Sequence, residues 1–446
     1  MTDAVGATPS EDAAAVAGWA ATSAFDRMWA ALEPIGREPS TGGYRRFAWT
    51  RTDHDLREWF AGECAARGLD LVVDRAGNQW AWWGDPDATP GRAVVIGSHL
   101  DSVPDGGAFD GPLGVVSALA TVDALRAAGV VPRRPLAVVN FVDEEGARFG
   151  VACAGSRIVT GALAAERALG LTDTDGVSMA EAWRAAGRDP ELLGPDPETL
   201  RRVGCFVELH VEQGRALALP PDGEGGGAEA GPVERAVAVG TDIWPHGRWR
   251  IDVPGEANHA GTTRLDDRRD AVLGLAAVVQ SARAHARRHG CVATVGKLAV
   301  EPGGVNAIAS RATAWLDARG ADEGAVRATV EQVRDEAAAS WGATTREESW
   351  TPTTAFDPAL VERLGRALPH APRLGTGAGH DAGILASHGI PSAMLFVRNP
   401  TGVSHSPAEW AGPDDCHHGV MALTTVVTDL LDATTPGVDA PPGVGS

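Results

Sequence analysis

The sequence predicts an α/β fold interrupted by a smaller inserted α+β domain with a ferredoxin-like sheet. Three observations carry this. Apolar strand patterns at Ala93–Gly97 and in PLAVVNFVDEE flank a long apolar helix pattern, Gly111–Ala128, and strand, loop, helix, strand is the order of a sheet covered by helices. From WRIDVPGEA onward the rhythm changes to strand, helix, strand, strand, helix. Polar residues then gather at the carboxyl ends of the first domain's strands, where open α/β sheets hold their ligands.

Taken in order, residues 1–18 read as a loose, acidic and Ala-rich leader. Helical patterning covers Asp26–Leu32 and Asp53–Arg67, and LDLVVDRAGNQWAWWG (69–84) reads as two strands around a turn at Ala76-Gly77. The stretch LPPDGEGGGAEAGP (219–232) is a low-complexity loop. The inserted domain takes WRIDVPGEA as a strand, Asp270–Arg288 as a helix, VATVGKLAV and SRATAWLDAR as strands and Ala321–Ser340 as a second helix. A strand near 343–349 closes it. Pro358–Leu368, IPSAMLFV and Asp415–Leu431 then return to the first domain as helix, strand and helix. The predicted division is a catalytic domain at 19–247 and 353–435, an insertion at 248–352, and loose termini at 1–18 and 436–446.

Composition narrows the function classes. The chain has 446 residues, 44% hydrophobic and 22% charged, as globular proteins do. A formal charge of −20 argues against nucleic acid or an anionic membrane surface as partner. Lys297 is the only lysine and sits in a strand pattern, so phosphate-loop and Schiff-base lysines are missing; Tyr44 is the only tyrosine. The five cysteines are widely spaced with no CxxC pair, which suggests neither a disulfide framework nor a thiolate zinc site. No basic leader with an apolar stretch opens the chain, and no uncharged apolar run reaches the roughly 20 residues of a spanning helix. A cytoplasmic protein is expected.

The densest polar constellation is GSHLDSVPDGGAFDGPLG (97–114), with His99 and Asp101 just after a buried strand and Asp110 just before a helix. FVDEEGARFG (141–150) places Asp143, Glu144 and Glu145 consecutively at a strand end, where like charges are costly unless a cation or hydrogen bonds compensate them. Adjacent carboxylates also allow one to bind metal while its neighbour moves a proton. His210 follows an apolar strand in CFVELHVEQG, near Glu208, Glu212 and Gln213, and His405 lies in GVSHSPAE. Each piece alone also has a plain structural reading: Asp110 as a helix cap, the acids as a solvated edge, a histidine as a hydrogen-bonded structural residue. Together His99, Asp110, Glu145, His210 and His405 form an N/O donor set without thiolate, suited to two ions of Zn²⁺, Mn²⁺, Co²⁺ or Ni²⁺.

In this order the motifs GSHLDSVPDGGAFDG, DEEGARFG, ELHVEQG, NHAGTT, GAGHDA and GVSHSPAE resemble those of the M20 metallopeptidase superfamily. More closely, they resemble its hydantoinase/carbamoylase amidases, a group that includes N-carbamoyl-L-amino-acid hydrolases, allantoate amidohydrolases and β-ureidopropionases. The likeness runs from GGYRRFAWT (42–50) to the last helix. It implies a mixed-sheet, di-metal aminopeptidase-like catalytic domain. One metal would take His99, Asp110 and His210, the other Asp110, Glu145 and His405, with Asp110 bridging; Asp101 would orient His99 and Glu144 would be the general base. His259 in EANHAGTT would stabilise the oxyanion, and Asn306 and Arg319 would hold a substrate carboxylate. Gln213 would contact the substrate or its ureido group, and His380 would face the substrate or bond to the neighbouring loop. A homodimer through the inserted domain is also implied.

Departures from the family pattern are Arg264-Leu265, where relatives carry Pro-Met, the bulky segment GTDIWPHGRW (240–249), and the added loop at 219–232. None touches the expected metal ligands. The expected activity is hydrolysis of a small anionic substrate, an N-carbamoyl-L-amino acid, to the amino acid, carbon dioxide and ammonia. Allantoate amidohydrolase is the first alternative, followed by β-ureidopropionase or a specialised amide hydrolase. A silent binding or assembly protein is disfavoured, because Glu144 and every expected metal ligand are present.

Overall fold

The structure, a computed structural model, describes residues 11–89, 91–219 and 235–432. The expected loose segments at 1–10 and 436–446, and the low-complexity loop from 220 to 232, lie outside these residues. Residues 11–18, read from the sequence as part of a loose leader, belong instead to one helix, Glu11–Leu32. Its cause is visible in the burial. Ala17, Ala21, Ala24, Phe25, Met28 and Leu32 form a buried stripe at helical spacing, and the Ala-rich first half favours helix intrinsically.

The chain divides into two compact units. The first runs to Thr241 and includes Ala355–Leu374 and the residues from Gly379 onward; the second is Asp242–Thr354 with Gly375–Ala378. The sequence places the insertion's ends a few residues further in, at 248 and 352.

The first unit is built on a mixed sheet. Seven of its nine strands run in the order Asp70–Val73, Gln79–Trp83, Leu136–Phe141, Ala93–His99, Val203–Val211, Ser392–Val397, Val237–Ile243. The four central strands, Leu136–Phe141 to Ser392–Val397, are mutually parallel and the outer pairings antiparallel. Every residue of those four is buried, which is why they read as continuous apolar runs rather than alternating ones. Helix Pro112–Ala127 starts with Pro112 at its first turn, where a missing N–H costs nothing. Its Leu113, Leu119 and Leu125 join Met28 and Phe25 of the first helix and Val420, Leu423 and Val427 of the last, Pro413–Asp432, in one core. Each such side chain contributes about 1.5–3 kcal/mol by burial. The parallel register brings the carboxyl ends of the central strands to one edge.

The second unit has an antiparallel sheet in the order Thr344–Thr351, His246–Pro254, Arg311–Arg319, Val292–Glu301. Numbered by appearance this is 4-1-3-2, the ferredoxin-like order. Helices Ala271–His289 and Glu323–Trp341 pack on each other and on the sheet, around Ile251, Val253, Leu275, Val278, Leu316, Val330 and Val333. Both helices are bounded alike: Asp270 and Asp322 accept from the N–H of Val272 (3.0 Å) and Ala325 (2.7 Å), and Gly290 and Gly342 close the C-termini.

Candidate active site and metal centre

The expected ligands sit where the central strands end. His99 is the last residue of Ala93–His99, His210 the penultimate residue of Val203–Val211, and Asp143–Glu145 follow Leu136–Phe141 after Val142. His405 lies in the loop after Ser392–Val397. Asp110 closes the glycine-rich loop ahead of helix Pro112–Ala127. Gly111 adopts φ 86°, and a Cβ there would fall 2.4 Å from the His99 ring, so only glycine lets this loop close on the imidazole.

Both buried histidines are held through Nδ1 by a backbone carbonyl. Nδ1 of His99 lies 3.1 Å from the Asp101 carbonyl oxygen and Nδ1 of His210 lies 2.8 Å from that of Val211. A carbonyl only accepts, so each Nδ1 carries a hydrogen, which leaves Nε2 as the ring atom available to a cation. Those two Nε2 atoms are buried and have no hydrogen-bond partner. Both face Asp110 Oδ1, at 3.6 Å from His99 and 3.1 Å from His210. On the other side of the same carboxylate, Oδ2 is 3.5 Å from His405 Nε2, which is also 3.5 Å from Glu145 Oε2. Two donor triads therefore share Asp110: His99, Asp110 and His210, and Asp110, Glu145 and His405, each with its donor atoms within 4.8 Å of one another. Ligands placed tetrahedrally around Zn²⁺ are about 3.3 Å apart, so the separations fit a divalent cation in each.

A third group, Glu208, His210 and His380, shares His210. Glu208 is already engaged, accepting from Ser98 Oγ (2.7 Å) and the Ala382 N–H (3.1 Å). His380 is buried with its ring 4.4 Å from that of His210 and its Nε2 without a partner. Burial and the neighbouring His210 hold its imidazole well below the usual range, hence neutral. His54, Asp55 and Glu58 also cluster, but on the outer face of helix Arg51–Ala66.

The electrostatics fit a cation site. Burial raises Glu144 well above the carboxylate range, and burial together with Asp110 lifts Glu145 to about 7. Burial opposes ionisation of Asp110 too, yet the imidazoles of His210, His405 and His99 hold it well below its ordinary value. Asp101 ties two motifs together: its carboxylate accepts from the N–H groups of Glu144 (3.1 Å) and Glu145 (3.0 Å) and lies 3.5 Å from His99 Nδ1. The Cys153 thiol, kept protonated by burial, donates to Glu144 Oε1 at 3.2 Å. That leaves Glu144 Oε2 at 3.7 Å from His99 Nε2, facing the shared space.

Gln213, expected on the substrate, sits on the shared carboxylate: its Nε2 donates to Asp110 Oδ2 (2.8 Å) and Ser404 Oγ (3.2 Å). His259, Asn306 and Arg319 belong to the second unit. His259 is exposed and its Nδ1 accepts from the Gly261 N–H (3.0 Å); the Asn306 carbonyl accepts from Ala260 beside it (2.9 Å). Arg319 is less free than a carboxylate grip requires. Its Nε and Nη2 already hold Asp317 (2.7 and 2.8 Å), and Nη1 donates to the Gly377 carbonyl at 2.8 Å. Sequence reasoning missed Glu409 and Ser404, both buried or half-buried around Asp110. Glu409 does lie inside GVSHSPAE, but a buried acid and a solvated one look alike in a sequence.

Comparison with known proteins agrees with this geometry. Residues 95–429 match Peptidase family M20/M25/M40. The chain is 36% identical over 436 residues to an N-carbamoyl-L-amino acid amidohydrolase of Geobacillus stearothermophilus, covering 91% of this chain and 98% of the relative. It is 30% identical over 414 residues to an allantoate amidohydrolase of Escherichia coli (strain K12), covering 90% and 95%. The crystal structure of a hydantoinase/carbamoylase family amidase from Burkholderia multivorans superposes with a TM-score of 0.77 at 30% identity, covering 92% of this chain and 98% of that one. With a metal-binding catalytic site on this fold, the chain belongs to the M20 peptidase family as an enzyme of its hydantoinase/carbamoylase amidase branch.

Proposed function

We propose that the enzyme hydrolyses the carbamoyl group of an N-carbamoyl-L-amino acid to the free amino acid, carbon dioxide and ammonia. The observation that carries the reading is the pair of buried, unpartnered Nε2 atoms of His99 and His210 facing one carboxylate, with Glu144 beside them. Two divalent ions bound by His99, Asp110 and His210 and by Asp110, Glu145 and His405 would polarise the ureido carbonyl and acidify a water. Glu144 is the general base. Oε1 is held by Cys153 and Oε2 is directed into the site, where it takes the water's proton and returns it to the departing nitrogen. Asp101 fixes the backbone of Glu144 and Glu145 and orients His99. Gln213 supports Asp110, and its buried Oε1, which has no partner, is the atom offered to the ureido group. His259 is the oxyanion donor, Asn306 holds the substrate carboxylate, Arg319 joins it only by giving up its bonds to Asp317 or Gly377, and His380 stays neutral beside His210 as a site wall.

A homodimer through the second unit is part of the proposal. Val292–Glu301 is a long edge strand carrying exposed Val292, Leu298 and Val300, a surface that strand pairing covers. Among the described residues no helix is long and apolar enough to cross a membrane. We assign the enzyme to the cytoplasm on the cysteine spacing.

The test is ammonia release by purified, metal-loaded enzyme from a panel of N-carbamoyl-L-amino acids, with allantoate alongside. Release from panel members is expected. Ammonia from allantoate alone moves the substrate to allantoate, and none from either overturns the reading. Glu144→Gln should retain bound metal while turnover falls by about 10²–10⁴.

A further inference from the structure

One buried carboxylate next to the site has no role in the chemistry above. We infer that Glu409 is a positioning residue that fixes the Asp110 carboxylate between the two donor triads, by pinning the backbone that carries it. The inference rests on the reading of Asp110 as the carboxylate shared by two cations.

Glu409 is 3% exposed. Its Oε1 accepts from two consecutive backbone N–H groups, Phe109 and Asp110, both at 2.9 Å. Its Oε2 accepts from Ser404 Oγ at 3.2 Å, and Ser404 Oγ is also 3.2 Å from Asp110 Oδ2. Glu409 thus holds Asp110 directly by its backbone, while the one Ser404 hydroxyl hydrogen is shared between Glu409 Oε2 and Asp110 Oδ2. The approach is close enough to fix a residue type elsewhere: a Cβ on Gly107 would lie 2.4 Å from Glu409 Cβ and Oε1.

The need for such a clamp follows from the loop. Asp110 lies in GGAFDG, where glycines give the free chain many conformations, and a shared carboxylate must present one oxygen to each triad. Strand register fixes His99 and His210, but no ladder reaches Asp110. Glu409 substitutes hydrogen bonds for that ladder. It also joins the Asp110 loop to the loop carrying His405, so the ligands of the second triad are set relative to each other.

Geometry and charge separate by substitution. Glu409→Gln removes the charge, but its carbonyl oxygen can stay on both N–H groups and its amide can donate to Ser404. Glu409→Asp keeps the charge and withdraws the carboxylate by one methylene. Gly107→Ala displaces the Glu409 side chain without changing a polar group. The measurement is the dissociation constant of each Zn²⁺ equivalent on the full chain, by competition with a chromophoric chelator, with circular dichroism as the fold control. Wild type should bind two equivalents, and Glu409→Gln should stay within about threefold. Glu409→Asp and Gly107→Ala should weaken both equivalents by about 10–100-fold, the range for lost outer partners of metal ligands. Wild-type affinity in Glu409→Asp, or a loss in Glu409→Gln as large as in Glu409→Asp, overturns the inference alone. Fewer than two equivalents on wild type overturns the shared-carboxylate reading, and the inference with it. If Glu409→Asp does not fold, Gly107→Ala decides by the same criterion.

Discussion

Replacing Asp101 by Asn should cost the enzyme more with its cations bound than without them. Asn keeps the volume, so no cavity forms and the change is electrical. The wild-type carboxylate accepts from the Glu144 N–H at 3.1 Å and the Glu145 N–H at 3.0 Å, and the residue is only 5% exposed. An amide has one accepting oxygen. One N–H is left facing the new NH₂, a loss of about 1–3 kcal/mol, and the surviving bond falls from charged to neutral strength, about 1 kcal/mol more. Together this is about 2–4 kcal/mol. Against it stands the repulsion Asp101 exerts on Asp143, Glu144 and Glu145, whose carboxyls burial already raises. Removing the Asp101 charge relieves that repulsion and returns part of the loss. Bound divalent cations offset the charge of Glu145, the one of these in a donor triad, so with them the relief is smaller and more of the loss shows. Urea unfolding of wild type and Asp101→Asn, each in chelator and with excess Zn²⁺, reads the difference. Ammonia release should fall about 10–100-fold, because the backbone carrying Glu144 and Glu145 is no longer held. Equal stability losses in the two conditions, or turnover within threefold of wild type, would refute the reasoning.

Other expectations follow from the same geometry. Gly111→Ala should weaken Zn²⁺ binding or lose the fold: φ 86° strains any side chain, and the new methyl would meet the His99 ring at 2.4 Å; wild-type affinity by chelator competition would contradict it. Met28→Ala should destabilise by about 2–5 kcal/mol in urea titration, because Met28 is fully buried in the first helix; a loss under 1 kcal/mol would remove that helix from the core. Asp252 gives a pH signature. Burial opposes its ionisation, but hydrogen bonds from Arg250, Arg311 and Thr313 lower it to about 2. The folded value lies below the unfolded value of about 3.9, so the stabilisation is complete above about pH 4 and is lost as pH falls through about 2. Its size is about 1–2 kcal/mol after allowing for solvent screening. Asp252→Asn should remove that acid-dependent component between pH 5 and 2, about 1–2 kcal/mol in urea titrations; an unchanged slope would remove Asp252 from the account.

What the sequence shows clearly is what a period can encode. The central strands are buried on both faces, so Ala93–His99, Leu136–Phe141 and Ser392–Val397 appear as unbroken apolar runs between polar turns. The inserted unit's helices carry capping aspartates and terminal glycines that mark their ends. Val237–Ile243 was missed as a strand because Gly240, Thr241 and Asp242 break both apolar continuity and alternation; its pairing with Ser392–Val397 comes from a partner over 150 residues away. The first helix was cut short because a stripe made of alanines carries little hydrophobic contrast. In the site, the candidate donors are legible because His99 and His210 stand at strand ends, Asp110 stands before a helix, and Glu145 and His405 lie in short polar motifs after strands. The supports are not. Glu409 acts on backbone N–H groups 299 residues away, and Arg319 is tied to Asp317 and Gly377, relations that no local spacing records.

The same distinction bears on how the site forms. His99 and His210 lie at the ends of two neighbouring parallel strands, so pairing of the sheet places them with no further ordering cost, whereas Glu145 lies beyond the end of Leu136–Phe141. Asp110 and His405 come from loops, and His405 itself has φ 54°, an uncommon conformation for a residue with a side chain. A loop residue held in that region costs of order 1–3 kcal/mol unless its surroundings over-determine it. The surroundings here are the Asn399 side chain, which accepts from Thr401 and Gly402 and donates to the Val403 carbonyl, and the Ser404–Glu409 pair. The second triad, Asp110, Glu145 and His405, therefore depends on loop order to a degree that His99, Asp110 and His210 do not. Of two bound cations, the one held by His405 is expected to leave first on chelation. Its ligand is also the most open, with the His405 side chain 50% exposed against 0% for His99 and His210. Stepwise chelation followed by histidine NMR would show the His405 ring shifting before the other two. Simultaneous release would mean that Asp110 alone governs both triads and that the loop adds nothing of its own.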